Sequence, residues 1–313
     1  MIDGDLGSIF HPDELAAQRR AGFALAGASI RTFMPDQHRE FFAGLRYLLI
    51  GAVDVDGWPI ATVLTGTPGF VASPDPTNLT IAAAPADDDP ALAGWRIGDP
   101  IGLLGLDLSN RRRNRANGVV AGLDAGVARL AVEQSFGNCP QYIQRREARP
   151  IARRPAEAER LNGLDAAARD LLARADTLFV ASRSRQRSGP GHGADVSHRG
   201  GPPGFVVVDG DRLTIPDYRG NRYMNTLGNL LGEPRAGLLA IDFDSGDLLQ
   251  LQGRAEIDWR PEAAAALPGA ERLWRLEVER GWRRRATLPL VWSFIDAAPT
   301  TERIAAMASN GPT

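Results

Sequence analysis

The chain has 313 residues, 43% of them hydrophobic and 24% charged, with a formal net charge of −2. This is ordinary globular composition, long enough for one large or two smaller domains, and no global field draws it toward nucleic acid or an anionic membrane. All 36 basic residues are arginine, so lysine chemistry is excluded and any bound phosphate falls to guanidinium forks, backbone N–H groups and small polar side chains.

The single cysteine, Cys139, has no internal disulfide partner, which fits a reducing compartment. His11, His38, His192 and His198 show no metal-ligand spacing, and no metal is expected. No run reaches the roughly 18 apolar residues of a membrane span, and no secretory signal pattern opens the chain. The expectation is a soluble, cytoplasmic protein without membrane or nucleic-acid partners.

In chain order, residues 1–36 read as an N-terminal arm. QHREFFAGL (37–45) has a helical pattern, and LLIGAVDVDGWPIATVLTGTPGFV (48–71) reads as a hairpin around DVDG. LTIAA (79–83) precedes an acidic stretch with Asp87, Asp88 and Asp89, followed by strand-like runs at 99–108 and 116–122. Between these runs, Arg111, Arg112, Arg113 and Arg115 form the densest basic cluster. Without interleaved aromatics this reads chiefly as a solvated hairpin turn, with a place near a ligand anion as the alternative. The charged, Pro-containing segment 145–163 marks a boundary.

The second half starts with a helical pattern at 164–175, Asp165 near its start. LFVASRS (178–184), ADVSHRGGPPGFV (194–206), LTIPD (213–217) and EPRAGLLAIDF (233–243) then echo the first half. Matched anchors (Gly69 with Gly204, Leu79 with Leu213, Gly102 with Gly237) hold an offset of 134 or 135 residues, so the chain carries an internal repeat. Residues 261–285 read as helical, and the chain after 296 as a small, polar tail expected to fray. Short strands with Gly/Asp turns predict a mainly β fold with a few helices, each repeat a small antiparallel barrel. The expected divisions are 1–36, 37–150, 151–260 and 261–313.

The repeats differ in one slot. Where the first has its aspartates, the second has DYRGNRYMNTLGNLLGEP (217–234), a basic, glycine-punctuated turn running into a helical pattern. A helix N-terminus offers free N–H groups and positive potential, and Arg219, Arg222, Asn221, Asn225 and Thr226 are the side chains a phosphate would need. The first module's slot is expected to be degenerate. A solvated surface helix capped by Asn225 or Thr226 is the structural alternative.

At these residues the sequence resembles the pyridoxamine 5′-phosphate oxidase-like FMN-binding split-barrel family, in a subgroup with two modules per chain. The similarity also takes in DQHREFFAGLRYLLIGAVDVDGWPIATVLTGTPGFV and QSFGNCPQYIQRRE, and spans roughly residues 35–258. It implies two tandem Greek-key split β-barrels forming a pseudo-dimer, with FMN in the groove between them and a further homodimer. By position, the phosphate falls to Arg219, Asn221, Arg222, Asn225 and Thr226. Ser197, His198 and Arg199 are implied near the ring or ribityl chain, and Gln250 and Gln252 as polar contacts to the ring. The function implied is FMN-dependent oxidoreduction of a small-molecule substrate, with a reduced nicotinamide or a separate reductase as electron donor. The absence of lysine, and Phe205–Val208 where basic strand ends belong, argue against pyridoxamine phosphate as that substrate. A non-catalytic flavin- or haem-holding barrel is the alternative.

His198 is the proton-donor candidate and Cys139 the redox candidate, each weighed against a purely structural role. Gln134, Ser135, Asn138 and Tyr142 are candidates for a wall facing the ligand.

Overall fold

A computed structural model describes residues 9–309 except 24, 26, 83–87, 94, 125 and 138. Two helices, α1 (Pro12–Arg20) and α2 (Asp36–Ala43), precede a first set of strands. These are β1 (Tyr47–Val53), β2 (Pro59–Thr65), β3 (Val71–Asp75), β4 (Asn78–Ala82), β5 (Pro100–Asp107), β6 (Arg112–Asp124) and β7 (Val127–Gly137). After β8 (Arg145–Pro150) and β9 (Glu159–Leu161) comes α3 (Ala166–Arg174), whose N-cap Asp165 accepts a hydrogen bond from the Ala168 N–H at 2.8 Å. The second set follows as β10 (Thr177–Arg183), β11 (Ala194–Gly200), β12 (Val207–Asp209), β13 (Arg212–Tyr218), α4 (Asn225–Gly232), β14 (Arg235–Ile241) and β15 (Leu248–Asp258). α5 (Pro261–Ala264), β16 (Ala270–Arg284), β17 (Leu290–Asp296) and α6 (Pro299–Ser309) close the described chain.

The first sheet runs β2-β1-β5-β6-β7-β4-β3 and the second β11-β10-β14-β15-β16-β13-β12, the same order element for element. β17 and β8 form a separate two-stranded pair. Register fixes which residues correspond. Ile50 faces Thr62 and Leu103, while Val180 faces Ser197 and Leu238, so Thr62 and Ser197 are equivalent. Leu104 faces Arg115 and Leu239 faces Gln250, so Arg115 and Gln250 are equivalent.

Alternation along the strands divides the apolar residues among three cores. Leu48, Ile50 and Ile81 fill the first barrel, and Leu178, Val180 and Trp274 the second. Leu49, Val63, Phe179, Val196 and Leu239, on the opposite strand faces, form a third core between the barrels. The backbones come very close there. A Cβ at Gly102 would stand 2.7 Å from Asp195 Cα, and one at Gly237 would stand 2.6 Å from the Pro59 carbonyl oxygen.

Two expectations at the C-terminal end are corrected. Residues 270–284 are not helical: AERLWRLEVERGWRR buries Trp274, Leu276 and Val278 on alternate positions, a period of two. β16 lies between β15 and β13, so the second module continues to Arg284 instead of ending at 260. The segment after 296 does not fray through 309. It forms α6, with Thr301 and Ile304 buried and Thr301 accepting a hydrogen bond from Gln144 Nε2 at 3.0 Å. No helix among the described residues is long and apolar enough to cross a membrane.

Candidate functional site

A cleft opens where the α4 N-terminus meets β11, β13, β16 and the end of β6 from the first module. Its turn, Gly220 to Met224, is backbone-strained. Among the described residues five non-glycines have positive φ, and three of them line this cleft: Tyr142 (64°), Arg222 (65°) and Met224 (61°). Such strain persists where the surrounding structure over-determines it, and it concentrates at binding sites.

The electrostatics of the cleft are lopsided. Arg113, Arg115, Arg199, Arg222 and Arg272 line it, against the carboxylates of Asp217 and Glu271 on the same walls. Asp217 takes Arg199 at 2.7 Å and Arg272 at 2.9 Å, and Glu271 takes Arg272 at 2.8 Å and, more loosely, Arg222 at 4.0 Å. Arg115 is held by the buried Asp195, 2.8 and 2.7 Å from its two oxygens, and also donates to the Ser197 hydroxyl. Arg113 has no hydrogen-bond or ion-pair partner among the described residues. Its guanidinium is pushed down to about 9 by loss of water and by the charge of Arg115 and Arg199. A half-buried, unpaired cation beside two others is a group waiting for an anion.

His198 is 6% exposed, lines the same cleft and leaves Nε2 unpartnered. Burial, then Arg113, Arg199 and Arg146, hold its pKa well below the usual imidazole range, so it is neutral at physiological pH. Its ring stands edge-on to Phe179 at 5.8 Å. Across the mouth, Tyr142 stacks on Tyr218 at 5.1 Å and donates its hydroxyl to the Arg219 carbonyl oxygen at 3.1 Å. Burial raises both phenols, that of Tyr218 to about 12, so both remain protonated donors.

The remaining candidates separate cleanly. Thr226 bonds the Ser197 hydroxyl at 2.8 Å, both at the cleft, and Asn221 lines it as well. Asn225 also lines it, but its amide is committed to Glu14 of α1 at 2.6 Å. Arg219 is exposed and contributes its backbone, not its side chain, to the cleft surroundings. Gln250 and Gln252 are misplaced by the sequence reading. Both are fully buried on the other side of the pseudo-dimer, Gln250 donating to the Ala61 carbonyl at 3.0 Å and Gln252 to that of Pro59 at 3.1 Å.

The reason is reciprocal packing. Each module's sixth strand faces the other module, so the strand serving the open cleft is β6, with Arg113 and Arg115. Within β6 the basic cluster divides by strand alternation, Arg113 and Arg115 lining the cleft and Arg112 lying over the Phe41 ring at 4.9 Å, while Arg111, in the turn before the strand, pairs with Asp296.

Of the proposed wall, Tyr142 faces the cleft. Gln134 bonds the Ile9 carbonyl and Ser135 bonds His38, while Asn138 lies outside the described residues. Cys139 is half-buried in the segment between β7 and Gln141.

Sequence reasoning gave no role to the arm. α1 docks on α4, where a Cβ on Gly228 would stand 2.5 Å from Glu14 Cα. Glu14 is fully enclosed, accepting from Asn225 and from the His11 N–H at 3.0 Å, and burial raises its pKa to about 8. Phe23 covers Arg222 at 4.1 Å, and Tyr223 packs edge-on to Phe10. The only sequence signal was the acidic–apolar pattern of PDELAAQRR.

Residues 164–287 match the family model described as pyridoxamine 5′-phosphate oxidase. The second module is a pyridoxamine 5′-phosphate oxidase-like split barrel. Among solved structures, the chain is similar to a conserved hypothetical protein of Mycobacterium tuberculosis (16% identity, TM-score 0.30), covering 40% of this chain and 88% of that one. It is also similar to an FAD-binding protein of Mesorhizobium loti (13%, TM-score 0.28; 42% and 99% covered). A third is a Clostridium acetobutylicum protein of the pyridoxinephosphate oxidase family related to general stress protein 26 (13%, TM-score 0.27; 44% and 94% covered). No curated protein matches the sequence.

Proposed function

We propose that the cleft binds flavin mononucleotide and that the protein is an FMN-dependent oxidoreductase acting on a small molecule other than pyridoxamine phosphate. The observation that carries this reading is Arg113, a desolvated guanidinium with no hydrogen-bond or ion-pair partner among the described residues, in a cleft that the oxidase-like module shares with the first barrel. Counting Asp195, which holds Arg115, five guanidinium groups meet three carboxylates, an excess that suits a phosphate monoester dianion. Arg113, the Ser197 and Thr226 hydroxyls and the α4 N-terminus would take the phosphate. Pro216 and the Tyr142–Tyr218 pair offer flat surface for the ring, and His198 Nε2 a polar contact.

When bound, the flavin supplies the electron-transfer chemistry. The residues of this chain bind it, fix its orientation and keep water out: the arm closes one side through Phe23 and Tyr223, and Tyr142 closes the mouth. His198, neutral and donor-competent, is placed to hold a proton at Nε2. The electron donor is proposed to be a reduced nicotinamide or a partner reductase in the same compartment. Because Arg113 comes from the first module and Ser197 from the second, the tandem pair builds both walls within one chain.

The test is a fluorescence titration comparing FMN with riboflavin. Micromolar or tighter FMN binding, with riboflavin at least about tenfold weaker, is expected for a charge-assisted phosphate contact. Equal affinities would remove the phosphate from the account.

A further inference from the structure

The two barrels are related residue by residue, so the position of Ser197 and Arg115 at the open cleft has a twin in the first module, occupied by Thr62 and Gln250. That twin is not a cleft. The carboxylate of Asp89, 2% exposed, sits in it. One oxygen accepts from the Thr62 hydroxyl at 2.5 Å and from Arg284 Nη1 at 2.8 Å. The other accepts from Gln250 Nε2 at 3.2 Å and from the Ala91 N–H at 3.0 Å. Arg284 is also 2% exposed, and among the described residues it further pairs with Asp88 at 3.2 Å.

We propose that Asp89 is a built-in anion filling a second oxyanion site, one that takes a small tetrahedral anion such as phosphate or sulfate once the carboxylate is removed. The donor set supports this. A hydroxyl, a side-chain amide reaching across from the other barrel, a backbone N–H and a guanidinium converge on one oxyanion, and none of them is exposed to bulk water. Removing the carboxylate alone leaves Arg284 buried without its main counter-charge, a strongly unfavourable state that a diffusible oxyanion relieves. In the native chain the consequence is stoichiometry: one anionic ligand, bound by the second module. This inference rests on the pairing of the two barrels and stands apart from the identity of the ligand in the open cleft.

Asp89→Ala tests it, with thermal unfolding followed in sodium phosphate and in sodium chloride of equal ionic strength. Arg113→Met in the background removes the response of the open cleft. In chloride, Asp89→Ala is expected to melt roughly 5–10 °C below its background. In phosphate it is expected to recover at least about half of that loss, while the background protein shows no phosphate-specific shift. Asp89→Ala combined with Arg284→Met should lose the phosphate response. If Asp89→Ala does not fold in chloride, refolding yield is the readout, and folding restored by phosphate supports the proposal. Equal melting in the two salts, or failure to fold in both, overturns it.

Discussion

Arg113 and Arg115 are two residues apart on one strand, line one cleft, and are expected to respond oppositely to substitution. Arg113 is unpaired among the described residues, so Arg113→Met should leave the melting temperature within about a degree of the parent while weakening FMN binding roughly ten- to a hundredfold. Arg115 is locked to Asp195 with both side chains buried, so Arg115→Ala strands a carboxylate and should cost about 3–5 kcal/mol in chemical denaturation. Matching losses of stability in the two variants would contradict the assignment of Arg113 as the free cation. Glu14 carries the pH dependence. The folded chain holds its proton up to about pH 8, whereas the unfolded chain releases it near 4.5. The stability it contributes is therefore complete below 4.5 and disappears as pH rises through 8. Melting temperature should fall between pH 6 and pH 9 more steeply in the parent than in Glu14→Gln, and parallel profiles would contradict the buried-acid reading. At this scale the sequence was partly legible. The basic turn and His198 pointed to the cleft, because turn glycines and helix-start residues carry local signals. Arg113 did not stand out, because only strand alternation distinguishes it from Arg112, and only the other barrel gives its face a purpose.

Elements were most legible where a pattern was local. The hairpin around DVDG, the Asp165-capped α3 and the basic turn into α4 all follow from neighbours in sequence. β16 was misread because its charged positions, RLEVERGWRRR, fit a helical surface about as well as the exposed face of a strand, and only Trp274, Leu276 and Val278 reveal the period of two. The arm was missed for a different reason: its partner, α4, lies about 200 residues away. Its docking depends on Gly228, which brings the two helices into close approach. Gly228→Val is expected to destabilise the protein by about 1–3 kcal/mol and to undock α1. Faster hydrogen exchange across 12–20, with the second barrel still protected, would report this. Unchanged exchange in α1 would mean that the arm does not depend on that contact.

For the whole molecule, the repeat read from anchor spacing corresponds to two sheets of identical strand order, and one matched anchor pair, Gly102 and Gly237, lies where the barrels touch. The sequence showed that the halves correspond but not how they face each other. Each sixth strand stays in its own sheet and turns side chains toward the other barrel, a property of the packing, which is why Gln250 and Gln252 were assigned to the wrong side. Among the described residues, the pairing leaves the Ser197–Arg115 position open in a cleft lined by both modules and its twin closed by Asp89.

The central claim, that this cleft holds a flavin by its phosphate, is tested most directly by the visible absorption spectrum of the purified protein. Mass and quantity of any released chromophore complete the measurement. A flavin spectrum with FMN released at close to one per chain, lost in Arg113→Met, is the predicted result. A colourless protein that does not take up added FMN would contradict it.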